Sequence, residues 1–154
     1  MTARLFEKVT LNNKVEVPGR LVIAPLTLFS SNPDGSISEG ERNYLKSRAT
    51  GVGMYILGAT AVAEDGFCFP GNPRAISEKD LPTLEERAKI IKSQGALAIN
   101  QIHHAGALAL KKYSGVNPLA PSAEKANENL KFLGQYTTPC QEFTDERIKK
   151  LINE

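Results

Sequence analysis

Cysteine and histidine are scarce in this sequence, and neither residue type supports a metal centre or a disulfide framework. Its two cysteines, Cys68 and Cys140, lack the spacing of metal ligands, and two thiols do not make a disulfide framework. His103 and His104 are adjacent, so along a strand their side chains point to opposite faces and cannot share a metal ion. We therefore predict no metal site and a reducing, cytoplasmic compartment.

Long apolar runs and a strong charge of one sign are also absent. No stretch approaches the ~20 consecutive apolar residues that span a bilayer, and residues 1–10 lack the apolar core of a secretory signal. The net charge of +2 on 154 residues is too small to indicate a nucleic-acid or membrane partner. With 41% hydrophobic and 23% charged residues, the composition is typical of an ordinary soluble globular domain.

The sequence does contain three apolar runs of the kind found in buried strands. Residues 21–24, 54–58 and 97–101 predict strands that are covered on both faces. Ahead of the first run, residues 11–14 predict a hairpin turn in which an Asn adopts positive φ. A proline and a glycine divide residues 15–22 into two short extended pieces.

Two helix patterns separate these strands. Ser38 and Glu41 have the spacing of a capping box, in which each side chain binds the backbone N–H of the other residue. The helix that they start is expected to run to about residue 50 and to stop at Gly51. The second helix is expected between Pro82 and Gly95, with an apolar stripe at i, i+4 and i+7 formed by Leu84, Ala88 and Ile91.

The order strand, helix, strand, helix, strand is typical of parallel βαβ units. Residues 105–143 then have the character of a long loop, and a last helix begins after Thr144. Three parallel strands do not close a barrel, which leaves two alternatives: an unusual open sheet or a fragment of a larger protein. We favour the fragment.

Three motifs lie at the carboxyl ends of these strands. They are RLVIAPLT at 20–27, GATAV at 58–62 and QIHHAG at 101–106. In this order and at these intervals they resemble the strand-end motifs of the old yellow enzyme family, and weaker matches extend the resemblance over nearly the whole chain. It implies an α/β fold: the N-terminal part of a (β/α)8 TIM barrel, with the first three parallel strands and the start of the third helix, preceded by a short N-terminal hairpin. Residues 1–154 would then be the N-terminal portion of a single FMN-binding domain.

The resemblance also implies a set of cofactor-binding residues at the C-terminal face of the barrel, where TIM barrels place their active sites. Pro25, Leu26 and Thr27 would lie against the flavin ring of FMN, and the Thr27 hydroxyl would donate to the C4 carbonyl oxygen. Ala59 would contact the same edge of the ring. The Gln101 amide would bind the pyrimidine part, although a buried structural network is the alternative for this side chain.

On the substrate side, the resemblance implies roles for Phe29 and His104. Phe29 stands where family members often place an aromatic ring near the substrate, and His104 belongs to the third motif. A loop anchor held by hydrogen bonds is the alternative for His104. The sequence also departs from the family pattern: Gly58 stands where most members have Glu, and Ala107 replaces the usual Arg.

The function implied by the resemblance is reduction of FMN by NAD(P)H, followed by hydride transfer to an electron-poor small molecule such as an α,β-unsaturated carbonyl compound. One alternative is a multidomain enzyme similar to dienoyl-CoA reductase. Another is a truncated, non-catalytic barrel fragment without flavin. A homo-oligomer and a complementing C-terminal fragment are the protein partners that we consider.

Overall fold

The computed structural model describes residues 2–123 and 138–153. A short 3-10 helix (Thr2–Phe6) comes first, and a short antiparallel hairpin follows it. The hairpin consists of β1 (Val9–Thr10) and β2 (Glu16–Val17). The predicted turn is confirmed, since the Lys14 N–H donates to the Leu11 carbonyl over 2.8 Å. Its positive φ was assigned to the wrong residue: Lys14 adopts +67°. Asn13 contributes through its side chain instead, because its Oδ1 accepts the Val15 N–H at 3.2 Å.

A three-stranded parallel sheet forms the centre of the structure. Its strands are β3 (Val22–Ile23), β4 (Met54–Ala61) and β5 (Leu97–His103), in the spatial order β3-β4-β5. The prediction of three adjacent parallel strands is therefore confirmed. Their predicted cover on both faces is wrong for β3 and β5, where Val22 and Ile102 are 49% and 71% exposed. β4 and β5 continue beyond their predicted ends, and the ladder between them shifts register between Ile56 and Ala59.

Two helices, α1 (Glu39–Arg48) and α2 (Leu81–Ser93), pack on one face of this sheet. Burial of apolar side chains drives this packing, and the buried cluster consists of Ile37, Leu45, Ala49, Tyr55, Leu57, Ile91 and Ala96. α1 starts as predicted, with Ser38 Oγ accepting the Glu41 N–H at 3.1 Å. The reciprocal half of the predicted capping box was wrong, because the Glu41 carboxylate is buried against Arg87 in α2.

The region after β5 is more ordered than the predicted loop. It contains a one-turn helix, α3 (Lys111–Ser114), and two short strands, β6 (Leu119–Ala120) and β7 (Gln141–Glu142), which pair in parallel. Each strand has two residues, too few to produce a recognisable alternation of apolar and polar residues. The final helix, α4 (Asp145–Asn153), is present as predicted. In the described ranges, no helix has the length and apolar character needed to cross a membrane.

Candidate functional site

The carboxyl ends of β3 and β4 meet at a cleft that contains three of the predicted cofactor-binding residues. Leu26, Thr27 and Ala59 all line it. Gln101 lies directly opposite Ala59 in the ladder between β4 and β5, and Pro25 immediately precedes Leu26 on an exposed stretch. The structure thus brings the predicted cofactor-binding residues to one edge of the parallel sheet, which is the edge where α/β proteins bind ligands.

Gly58 allows this edge to form. A Cβ placed on Gly58 would lie 2.9 Å from the carbonyl carbon of Leu26, closer still to its oxygen, and 3.1 Å from the Thr27 Cα. These distances are shorter than side-chain packing tolerates, so the segment after β3 lies directly on the Gly58 backbone. The glycine that departs from the family pattern is therefore a steric requirement of this backbone, which leaves no room for a Glu side chain.

Phe29 has an unusual backbone conformation at the mouth of the cleft. Its φ is +49°, in the left-handed region that bulky residues rarely adopt. The residue is 69% exposed, and its ring packs edge-on against the buried Phe69, with ring centroids 4.7 Å apart. Strained residues of this kind cluster at functional sites because the surrounding structure has to hold them in place.

Asn72, in the loop after β4, is a buried residue that the sequence did not single out. Its Nδ2 donates to the Ala59 carbonyl at 3.3 Å and to the Pro73 carbonyl at 3.2 Å. The Ala61 N–H in turn donates to Pro73 at 2.8 Å. These bonds hold the loop against the end of β4, and a Gly-rich and Pro-rich loop gives no periodic signal that would reveal such an anchor.

His104 lies in a hydrogen-bonded cluster rather than at the cleft. Its Nε2 is 3.0 Å from Asp65 Oδ1, and its Nδ1 accepts the Gly106 N–H at 3.0 Å. The Gly106 donor places the His104 proton on Nε2, which then donates to Asp65. Both ring nitrogens are therefore engaged. This geometry supports the alternative in which His104 anchors the loop. The substrate site that we propose below therefore does not include His104.

Arg147 of α4 completes this cluster. It binds both oxygens of Asp65, with Nε–Oδ2 and Nη2–Oδ1 distances of 2.7 Å each. Burial opposes ionisation of the Asp65 carboxyl, but the hydrogen bonds from Arg147 and His104 outweigh it and lower its pKa below 3.8. The carboxylate is thus ionised at neutral pH and ties the loop after β4 to α4.

His103, the last residue of β5, differs from its neighbour in its surroundings. Burial, reinforced by the adjacent His104, lowers the pKa of His103 below 6.5, so the ring is neutral at pH 7.

Burial also raises the pKa of the Cys68 thiol to about 11, which keeps that thiol protonated. Among residues 2–123 and 138–153, no group of three His, Cys, Asp or Glu side chains could hold a metal ion.

The polar groups at this sheet edge can donate hydrogen bonds to a planar ligand. Within the described part of the chain, neither the Thr27 hydroxyl nor the Gln101 amide has a hydrogen-bond partner. Both are neutral donors, Ala59 is small, and Leu26 is an exposed apolar side chain. Apolar contact combined with a few free donors is typical of the residues that line small-molecule sites.

Comparison with known proteins identifies the family. The model of the NADH:flavin oxidoreductase / NADH oxidase family matches residues 4–154. The chain belongs to this family. Family members are flavin-dependent oxidoreductases, and the match covers their N-terminal part.

Two relatives and one solved structure show the extent of the similarity. A probable NADH-dependent flavin oxidoreductase of Bacillus subtilis, YqiG, is 41% identical over 102 residues, which are 66% of this chain and 27% of the relative. An NADH:acrylate oxidoreductase of Vibrio harveyi is 31% identical over 151 residues, covering 97% of this chain and 14% of that protein. The old yellow enzyme homologue from Zymomonas mobilis superposes with a TM-score of 0.83 at 23% identity, covering 97% of this chain and 42% of that one.

The chain therefore spans less than half the length of each of these three proteins. The structural match shows that the β3-β4-β5 sheet and its helices have the fold of the corresponding part of an old yellow enzyme barrel.

Proposed function

We propose that this chain forms the N-terminal part of an FMN-binding (β/α)8 barrel, which uses NAD(P)H to reduce an electron-poor acceptor. The observation that carries the proposal is the meeting of Thr27, Ala59 and Gln101 at the carboxyl edge of one parallel sheet. Further strands would continue from β5, which lies at the end of the described sheet and carries Ile102 with 71% of its surface exposed.

FMN, when bound, supplies the redox chemistry by accepting a hydride from NAD(P)H and passing it to the acceptor. The Thr27 hydroxyl would donate to the flavin C4 carbonyl and the Gln101 amide to the pyrimidine part of the ring. Ala59 would allow close approach, since its side chain is a single methyl group. Neutral donors aimed at carbonyls that gain negative charge on reduction stabilise the reduced form and raise the midpoint potential.

The acceptor that we propose is a small molecule with a polarised carbon–carbon double bond, such as an α,β-unsaturated carbonyl compound. The name of the Vibrio harveyi relative supports this choice, because acrylate is an α,β-unsaturated acid. Phe29 would provide an apolar contact beside such a substrate, since its ring lies exposed at the mouth of the cleft.

A multidomain enzyme is the second candidate, because the matched region is only 14% of the Vibrio harveyi protein. In either case this region would have the same role at the flavin. A truncated fragment without flavin is the remaining alternative.

The test is the visible spectrum of the protein purified with the rest of its barrel, together with NADH consumption in the presence of 2-cyclohexenone. The proposal predicts bound flavin bands and turnover. Thr27→Ala should retain flavin and lower its midpoint potential. Thr50→Ala is a matched control, because Thr50 lies in the turn after α1 and does not line the cleft. A colourless protein would contradict the proposal. A midpoint potential that is unchanged in Thr27→Ala would contradict the role of Thr27.

A further inference from the structure

A buried ion pair lies behind the segment that leaves β3, and the proposed reaction makes no use of it. Glu41 in α1 and Arg87 in α2 have side chains that are only 5% and 2% exposed. Arg87 Nε donates to Glu41 Oε1 at 2.8 Å, and Nη2 donates to Oε2 at 3.1 Å. Both residues line the same cleft as Thr27. A bidentate pair of this kind fixes the relative orientation of both side chains.

The pair also binds the loop that follows Phe29. Ser31 Oγ donates to Glu41 Oε2 at 2.8 Å, and Arg87 Nη2 donates to the Gly35 carbonyl at 3.2 Å. We refer to Ser31, Glu41 and Arg87 as the Ser31 network. Through it, two helices hold the loop at two separate points.

The other end of the segment is held by contact with Gly58, on which the Leu26 carbonyl lies. Thr27 and Phe29 are therefore placed between two fixed points, the Leu26 contact and Ser31. The left-handed backbone of Phe29 is consistent with such restraint, because a non-glycine residue keeps this conformation only where its surroundings impose it.

Stability alone does not account for a buried ion pair at this position. Moving two charges out of water is costly, and apolar side chains of similar volume often give a fold that is equally stable or more so. Within the described residues, Arg87 Nη1 is also buried without a hydrogen-bond partner. What the ion pair provides, and an apolar pair cannot, is a set of directed hydrogen bonds to Ser31 and Gly35.

We propose that the Ser31 network is a positioning device for the segment between Leu26 and Ser31, and that it sets the direction of the Thr27 hydroxyl at the flavin. Glu41 and Arg87 act through the loop and do not touch the cofactor. The part of this inference that concerns the flavin rests on the proposed function. The part that concerns the loop does not.

The first experiment measures the loop without flavin. Glu41→Leu combined with Arg87→Met replaces the ion pair by apolar side chains and avoids leaving one buried charge unpaired. Hydrogen exchange of the apoprotein should then be at least about tenfold faster at the Asn32 and Gly35 amides, which donate hydrogen bonds within the loop, relative to the amides of β4. Arg42→Gln with Glu86→Gln is the matched control, since that ion pair joins the same two helices at the surface.

Equal exchange at the Asn32 and Gly35 amides in the network variant and the wild type would overturn the proposal. Ser31→Ala is the second variant, because it removes one hydroxyl from the loop and leaves the ion pair intact. It should accelerate exchange at the same amides, so the proposal can be tested even where the double variant does not fold.

The second experiment is a double-mutant cycle on the midpoint potential of the flavin-loaded protein. The network variant should lower the potential when Thr27 is present and cause no further fall in a Thr27→Ala background, since both changes remove the same hydrogen bond. An equal fall in both backgrounds would overturn the proposal. A wild-type protein that binds no flavin would instead contradict the proposed function. The hydrogen-exchange experiment would still decide whether the Ser31 network positions the loop.

Discussion

His104 Nε2 lies 3.0 Å from Asp65 Oδ1, and this contact joins the end of β5 to the loop after β4. Arg147 extends the connection to α4 by binding both Asp65 oxygens. The Phe143 ring, just ahead of α4 in the chain, is tilted against the His104 ring with the ring centroids 5.5 Å apart. One carboxylate thus ties together three consecutive pieces of the proposed barrel, at the end of the sheet that carries the cleft.

Removing this carboxylate should destabilise the fold. Asp65→Ala is expected to lower the free energy of unfolding by about 2–4 kcal/mol, because Arg147 and His104 lose their shared acceptor in a mostly buried position. Urea unfolding followed by circular dichroism measures the change. Glu85→Ala is the control, since its pair with Lys89 is exposed and should contribute well under about 1 kcal/mol. Similar losses in the two variants would contradict this account of the cluster.

The same carboxylate should produce a pH-dependent term in stability. The folded state lowers the pKa of Asp65 below its ordinary value of 3.8, so its contribution is present above that pH and is lost as the pH falls through the folded pKa. Asp65→Asn should therefore unfold with a weaker dependence on pH below about 4 than the wild type. If the free energy of unfolding has the same dependence on pH in both proteins over this range, Asp65 does not contribute to the pH dependence of stability.

Gly58 should tolerate no side chain. Gly58→Ala would bring a methyl group within 2.9 Å of the Leu26 carbonyl carbon, and we expect a loss of about 1–3 kcal/mol as the backbone shifts. Gly40→Ala is the matched control, because that glycine lies in α1 with only Ser38 Oγ nearby, at 3.7 Å. The control should be neutral or stabilising. An equal change in melting temperature in the two variants would contradict the steric role of Gly58.

The central sheet could be predicted from the sequence because its strands are continuous apolar runs, and because Gly51 and Gly95 end the helices between them with positive φ. The meeting of Thr27, Ala59 and Gln101 followed from the parallel order and the family motifs. The Ser31 network could not be predicted, since Glu41 and Arg87 are far apart in the sequence and a buried charge pair has no apolar signature. Glu41 instead had the spacing of a capping-box residue.

The strands β6 and β7 were not predicted for a different reason. Each has two residues, and they are brought together by backbone hydrogen bonds such as the one from the Gln141 N–H to Pro118, at 2.8 Å. Backbone pairing of this kind depends on the path of the chain between the two strands. The pattern of side chains in the sequence therefore does not predict it.

The 154-residue polypeptide by itself should be colourless. FMN affinity in such barrels is expected to come largely from the phosphate, which TIM barrels bind with the loops after strands seven and eight. Under the proposed function, the present chain would contribute contacts to the ring and none to the phosphate. An absorbance scan after incubation with FMN and desalting should show no flavin bands, and NADH should not be consumed. A yellow, active polypeptide would show that the residues described above suffice for binding.

A crystal structure of the complete barrel with FMN bound tests the proposed flavin site most directly. The account predicts the flavin ring against Pro25, Leu26 and Ala59, with the Thr27 hydroxyl about 2.5–3.0 Å from the C4 carbonyl oxygen and the Gln101 amide at the pyrimidine edge. A flavin ring bound elsewhere, with the Thr27 hydroxyl and the Gln101 amide both out of hydrogen-bond reach, would contradict it.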